Sequence, residues 1–597
     1  MHTIAAGMLL LVCCTVCAAV DPAVLASGPL GVGGDEVLRA TAFQQDGTLV
    51  VGGTIGATAP GGLTPLVVGS ATAASEGAIL RLSNDGRTVL SVTRVSAAVF
   101  DLAIDSADRI HVAAGAGGYL VLSSDGSTLV RSKPVGFVRR VDVGTDDRAV
   151  ILRPSNTSDD SATGTGTVFL YNAAGDEVVN FAGYRNTLDV CLDSTSQTIV
   201  TIGWRQTSAF DGSSTQPVQI AYLRGSDYAG AAKWTGYDWS TDTASDRFLN
   251  KPTNNMADTR GYRVALGGDG KVYAAFECAG GNTIFRYSPF SITTTVTIVG
   301  GDKYHEWYNT AAEHKTFFAR YEAATGAYLK GQRFVSRLSN GKGNAVRVKN
   351  GNIAANTLGE VFLTGASASG LPLSYEPLPA GSYTGGAFVL HMSSDFTTRR
   401  LCTRLSSGGS MEAAAIAPGR LALVGSCGAT TLSVMPLQGS FGGGSSDGLA
   451  AVIALGDPSD TTPPATPTAP LVSGGTTARP TLSGVSEANA VIRIFDGGIQ
   501  VATVFADGSG AWSWTPASDL TPGEHHFTVI AQDATGNASG ASPAVTTTAP
   551  SSTGGGSSGS SSSAGGGGCG VGGGSAVWLM LLVAAFAWCV PKRNGLR

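Results

Sequence analysis

The sequence predicts an all-β chain: a β-propeller of about seven blades, then a β-sandwich, then a short C-terminal transmembrane helix. Three observations carry this. Short apolar runs alternate at period two between turns of Asp, Ser and Gly. Between Phe100 and Leu129, for example, Phe100–Ile104, Ile110–Ala114 and Tyr119–Leu122 are separated by polar or glycine turns. Units of this kind recur about seven times. Glycine supplies 82 of 597 residues and only 14% of residues are charged, a composition suited to tight turns more than to helices.

In chain order, residues 1–19 have the pattern of a signal peptide. An apolar run over residues 4–16 is followed by Cys17-Ala18-Ala19, with cleavage by signal peptidase expected after Ala19. A lipoprotein reading would need a small residue before Cys17, and Val16 stands there. Residues 20–456 form the repeated body. Its units begin at Leu38, Phe100, Arg139, Leu188, Tyr262, Ala345 and Glu412, after a Gly- and Pro-containing lead-in over 21–36. Each unit has an apolar strand, a turn with Asp or Gly, a second strand ending in small residues, a loop, and a third strand such as Ala78–Leu82 or Thr283–Tyr287. A small sheet cannot bury its faces alone, and radial stacking buries both, which favours a propeller. A β-helix would need shorter spacing; stacked sandwiches are the other competitor.

Within the body, Leu358-Gly359-Glu360-Val361-Phe362-Leu363-Thr364-Gly365 and Gly385-Gly386-Ala387-Phe388-Val389-Leu390 resemble the degenerate blade repeats of bacterial secreted propellers. Glu360 replaces the usual Asn, and Gly386 stands where an acidic residue is common. Two insertions interrupt the repeats. Residues 224–261 carry Trp234, Tyr237 and Trp239, and residues 301–330 carry Tyr304, His305, Glu306, Trp307 and Tyr308. These eight are the candidate ligand-binding residues, because exposed aromatic faces suit sugar rings and the polar groups beside them give orientation. The competing reading is that the aromatics anchor long loops.

Residues 457–470 are a Pro-rich linker, and residues 471–549 alternate cleanly enough for a seven-stranded sandwich. Pro480-Thr481-Leu482-Ser483-Gly484, Asp507-Gly508-Ser509-Gly510-Ala511-Trp512 and Asp533-Ala534-Thr535-Gly536-Asn537 resemble the bacterial Ig-like modules of adhesins and large surface proteins. The resemblance implies a spacer that presents other domains. It also raises a structural Ca²⁺ held near Asp533 and Asn537, against a turn-forming role for the same pair. No other cofactor is expected. Trp512 or Trp514 is expected to supply a large core side chain.

Residues 550–575 are a Gly/Ser linker, 576–590 an apolar run of fifteen, and 591–597 a basic tail expected in the cytoplasm. Fifteen residues are short of the roughly twenty that span a bilayer. The composite resembles the C-terminal sorting signals of bacterial surface proteins. By that resemblance Gly568, Cys569 and Gly570 form the processing region of a sorting protease and the helix is temporary; an ordinary single-span membrane anchor is the alternative. Both readings place the body outside the cytoplasm, at the cell envelope or surface.

A net charge of −5, with no basic block before the last seven residues, excludes nucleic acid as a partner. Cys402 and Cys427 are read either as one disulfide or as buried free thiols. No zinc-helix spacing, calcium loop or nucleophile elbow stands out, so no catalytic residue is assigned. The leading expectation is a surface-displayed binding or adhesion protein whose ligand is a glycan or a protein. A secreted carbohydrate-active hydrolase or lyase, and a purely structural surface protein, are the rivals. A cluster of carboxylates with perturbed pKa in a central cleft would favour the enzyme; exposed aromatics without one would favour binding.

Overall fold

A computed structural model of the chain describes residues 23–550, apart from 32, 157–163, 211–214, 240–256, 280–282, 300–313, 375–377, 379–384, 418, 456–461, 489, 507–508, 517 and 534–536. Among the described residues the only helices are two single 3₁₀ turns, Pro60–Gly62 and Ile284–Arg286. The all-β expectation therefore holds.

The expectation of a β-propeller with a transmembrane helix is corrected. Among the described residues no sheet is closed: every ladder is open at both edges and none exceeds five strands. Several of the later strands are blunted. In sheets one, two, three and five of the body the second residue of the outer strand is an extra residue in the pairing, namely Leu90, Val130, Val178 and Leu329. Each such bulge turns an apolar side chain outward, 40–50% exposed, and in sheets two, three and five it lies on an edge strand that pairs no further. Among the described residues no helix is long and apolar enough to cross a membrane. The run 576–590 on which one was expected lies outside them, as do Ala19, Gly568, Cys569 and Gly570.

Seven antiparallel sheets follow one another. Their inner strands are Val37–Phe43, Asp101–Ile104, Arg140–Val143, Asn186–Asp193, Thr259–Leu266, Ile353–Ala355 and Met411–Ala417. In the first five, later strands add outward in chain order, and sheet one gains a short parallel edge at Leu66–Val67. Sheet six has a split inner edge, since Val346–Arg347 and Ile353–Ala355 both pair with Val361–Ala368. In sheet seven the outer strand is Ala23–Leu30, antiparallel to Asp447–Ala454. The stretch read as a lead-in is thus a strand, and Pro29, which has no N–H to donate, sits on an edge.

Apolar residues between neighbouring sheets form the core. Cys191, Val200, Leu223, Phe276, Phe285 and Phe317 fill the space between sheets four and five. Leu49, Leu80, Val424 and Val452 fill that between sheets one and seven. Side-chain carboxylates then staple neighbouring sheets together from sheet two to sheet six. Asp101 accepts the N–H of Val141 at 3.2 Å, Asp142 that of Leu192 at 2.8 Å, and Asp189 that of Val264 at 3.1 Å. Glu277 accepts from Val348 at 2.8 Å and Lys349 at 3.1 Å.

The C-terminal module has seven strands in two sheets. Leu471–Ser473, Thr481–Val485 and Ala511–Trp514 form one; Ile499–Phe505, Val491–Asp496, Gly523–Gln532 and Val545–Ala549 form the other. Leu482, Ile492, Ile494, Trp512, Phe527 and Val529 are its core. Trp512 is the buried tryptophan, while Trp514 is partly buried with its ring edge-on to Phe527 at 5.8 Å.

Candidate functional site

The inner strands converge on one feature. Each touches the inner strand of the next sheet, and that of sheet seven touches that of sheet one. They enclose a cavity of about 200 Å³ to which all seven sheets contribute. One residue from each sheet, on its inner strand or, for Asn352, just before it, lines it: Arg39, Asp101, Arg140, Asp189, Arg263, Asn352 and Glu412. In order round the cavity the charges run plus, minus, plus, minus, plus, neutral, minus. Seven is odd, so strict alternation needs one uncharged position, and Asn352 supplies it. Residues two further along each strand form a second layer: Thr41, Ala103, Asp142, Cys191, Ala265, Ala354 and Ala414. Five of these are small, which keeps the space below the charged layer open.

Local backbone geometry aims these groups. Arg39 and Glu412 are each the extra residue of a β-bulge on the inner strands of sheets one and seven, and bulges redirect side chains. Arg263 is fixed by three backbone carbonyls, Gly351 at 2.6 Å, Tyr262 at 2.8 Å and Lys349. Arg140 Nε lies 3.5 Å from Asp189 Oδ1 and is buried without a hydrogen bond. Arg39 donates to Thr54 Oγ1 at 2.7 Å, and both Arg39 and Arg139 lie over the Phe100 ring.

Electrostatics follow from burial around a small cavity. Burial pushes the Asp101 carboxyl up to about 7, with Arg140 opposing the shift and Asp189 adding to it. Burial likewise raises Asp142 to about 6, against hydrogen bonds from Leu192 and Val143. Glu412 is raised by burial against the field of Arg39, Arg263, Arg140 and Arg139. Burial and neighbouring arginines lower Arg139 and Arg263 to about 9. Asp101 and Glu412 are only half-buried by surface. The surface they keep faces the cavity, so they remain available to whatever enters it.

The cavity thus holds carboxylates with raised pKa, the feature named from the sequence as favouring an enzyme. Their hydrogen bonding argues the other way. Asp101, Asp142 and Asp189 each accept a second N–H from the following residue, Leu102, Val143 and Val190, so both oxygens of each are engaged. Glu412 makes no such bond among the described residues. One unengaged carboxylate is not the pair that glycoside hydrolysis uses.

The sequence-predicted binding residues are placed elsewhere. Trp234 and Tyr237 are buried, at 8% and 3% exposure, on the outer strand Ala232–Tyr237 of sheet four. Trp234 Nε1 donates to Ala323 O at 3.0 Å, and the Tyr237 and Tyr321 hydroxyls meet at 2.9 Å. Trp239 is half-buried, edge-on to Tyr237 and Tyr287. These three anchor sheet four against sheet five. Tyr304, His305, Glu306, Trp307 and Tyr308 lie outside the described residues. Asp533 and Asn537 close a turn on each other, with the Asn537 backbone and side-chain nitrogens donating to Asp533 at 2.8 and 2.9 Å. The described residues hold no group of three or more metal-binding side chains. Cys402 and Cys427 are free buried thiols, so the disulfide reading is corrected. They belong to different core clusters, and Cys427 Sγ is taken up by Gly448 O at 3.7 Å.

The cavity residues were missed. Aligning the units would have exposed them: Leu38-Arg39-Ala40, Phe100-Asp101-Leu102, Arg139-Arg140-Val141, Leu188-Asp189-Val190, Tyr262-Arg263-Val264, Gly351-Asn352-Ile353 and Met411-Glu412-Ala413 each put a polar residue before a small or apolar one.

Comparison with known proteins bears on the C-terminal module. Residues 475–548 match the family model of a bacterial Ig-like domain. No curated protein matches the chain. The matched module is of a kind that fits a surface or adhesin-type protein.

Proposed function

We propose that this is a surface-displayed binding protein. The seven-sheet body holds the ligand in its axial cavity, and the Ig-like module spaces the body from whatever carries it. The observation that supports this most is the charge-alternating layer around a shared cavity, with one contribution from each sheet. Alternating guanidinium donors and carboxylate acceptors fix a polar ligand's orientation at little net charge. The ligand is a glycan or the polar end of a protein. A glycan array probed with the purified chain tests the reading: binding that weakens in Glu412→Gln supports it, and no binding to any glycan or extracellular protein panel sinks it.

A second reading has one observation in its favour. Asp101 near 7 and Asp142 near 6 have the acidities expected of proton-transfer groups at neutral pH. It makes the protein a carbohydrate-active hydrolase or lyase, and it predicts that glycans bound on the array are cleaved and that Asp101→Asn abolishes cleavage while keeping binding.

A further inference from the structure

We infer that the axial cavity takes a single neutral sugar unit, end-on, and that Asn352 sets its preference for neutral over charged sugars. This rests on the binding reading above and names its ligand class.

Size is the first ground. About 200 Å³ is room for one pyranose ring inside the ring of strands. A glycan would enter by its terminal unit.

Charge pattern is the second. The layer has three arginines, three carboxylates and one amide, so its own formal charges cancel, and the one charged group of the second layer is Asp142, which adds a carboxylate and leaves no excess of positive charge to draw in an acidic sugar. A sugar hydroxyl both donates and accepts. Two neighbouring hydroxyls of a ring can therefore lie across one guanidinium and one carboxylate, each hydroxyl donating to an acid and accepting from an arginine. The alternation repeats that match around the cavity. Arg140 Nε, buried without a hydrogen bond, is one donor such a hydroxyl would satisfy. Below the layer, Ala103, Ala265, Ala354 and Ala414 give the apolar surface that a sugar's C–H face needs.

Asn352 is the third. It stands between Arg263 and Glu412, and its Oδ1 accepts the Ile353 N–H at 2.8 Å. Asn352 N donates to Thr364 Oγ1 at 2.9 Å. An aspartate would keep both bonds and the same shape while adding a fourth negative charge. Asn352→Asp is therefore a change of charge without a change of fold, and it converts a balanced layer into one that favours a cation.

The test is calorimetric titration of the purified full chain with glucose, galactose, mannose, glucosamine and glucuronate. The expected result is that a neutral sugar binds at least tenfold more tightly than glucuronate. Asn352→Asp, with an unchanged melting curve, should shift the glucosamine-to-glucose affinity ratio at least tenfold toward glucosamine. Glu412→Gln should weaken the neutral sugar at least tenfold. Tightest binding of glucuronate overturns the inference. So does neutral-sugar binding that neither variant alters. If array glycans bind but no monosaccharide does, the inference falls and the binding reading stands. If neither binds, both fall.

Discussion

Asp101 and Asp105 lie four residues apart, at the two ends of one inner strand, and the protein uses them in opposite ways. Asp101 faces the axial cavity, where burial raises its carboxyl to about 7. Asp105 closes the turn at the other end. Burial alone would raise it too, but hydrogen bonds from His111 and Arg109 outweigh that and hold it well below the usual carboxylate range. His111 Nε2 is 3.0 Å from Asp105 Oδ2, and its Nδ1 is 2.7 Å from the Tyr119 hydroxyl. Two other turns follow Asp105. Asp125 is held at about 2 by the hydroxyl of Ser123 and by Ser127, and Asp395 is lowered by Ser393 and Thr397. The contrast separates two tasks. Turn carboxylates are given enough donors to remain charged and fix geometry. Axial Asp101, Asp142 and Asp189 each accept two backbone N–H bonds, yet at Asp101 and Asp142 burial outweighs them, a cost in stability at a polar cavity that a ligand can enter.

The largest test of this contrast is at the axis. Arg263→Ala leaves the carbonyls of Gly351, Tyr262 and Lys349 without their donor and removes a positive charge from between Asp189 and Asn352. It should cost about 3–5 kcal/mol in urea unfolding; a loss within the range of ordinary surface substitutions would mean the axial layer is not coupled to the fold. At the turns, His111→Ala should cost less, about 1–3 kcal/mol for the donor lost to buried Asp105, with no change in ligand binding. A binding change in His111→Ala would erase the division between the two ends of the strand.

Protons separate the ends more finely. Asp101 and Asp142 have folded pKa values above their unfolded ones, so their contribution is fully present below the unfolded value near 4 and is lost as pH rises through about 6 and 7. Asp105 and Asp395 are depressed, so theirs is present above the unfolded value and is lost as pH falls below it. Melting temperature should therefore be higher at pH 5.5 than at pH 8 and fall again below pH 4. Asp101→Asn should flatten the upper slope and leave the lower one. A profile that rises steadily to pH 8 would contradict the axial assignment. The smallest expected effect is that of reductant. Thiol labelling in denaturant without reductant should find Cys191, Cys278, Cys402 and Cys427 all free, and melting should be the same with and without dithiothreitol.

Much of the strand order was legible, because short apolar runs stand between Asp- and Gly-containing turns, but Thr283–Tyr287, read as the third strand of the fifth unit, holds the 3₁₀ turn Ile284–Arg286, and the third strand is Lys315–Tyr321, in a stretch read as an insertion. The outer strands were not. Leu129–Lys133 and Glu177–Ala182 have no buried residue and carry apolar Val130 and Val178 at exposed positions, so their apolar residues mark no core-facing side. Trp234 and Tyr237 looked like loop aromatics because their strand is short and ends at Tyr237 with φ at 61°; only contact with sheet five reveals them as core. The axial layer was hidden for another reason. One polar residue per strand is what any half-exposed strand shows, and the alternation of sign emerges only when strands from seven units are placed side by side. Sheet six would have defeated even that alignment, since its inner edge is split and the sequence points to Ala345–Val348, while Asn352 precedes the second piece.

The most direct measurement is a crystal structure of the full chain with a sugar that binds it. The account predicts one sugar unit in the axial cavity, with hydroxyls on Arg263, Asn352 and Glu412. A sugar bound on the outer rim or on the Ig-like module, with the cavity holding only water, would contradict it.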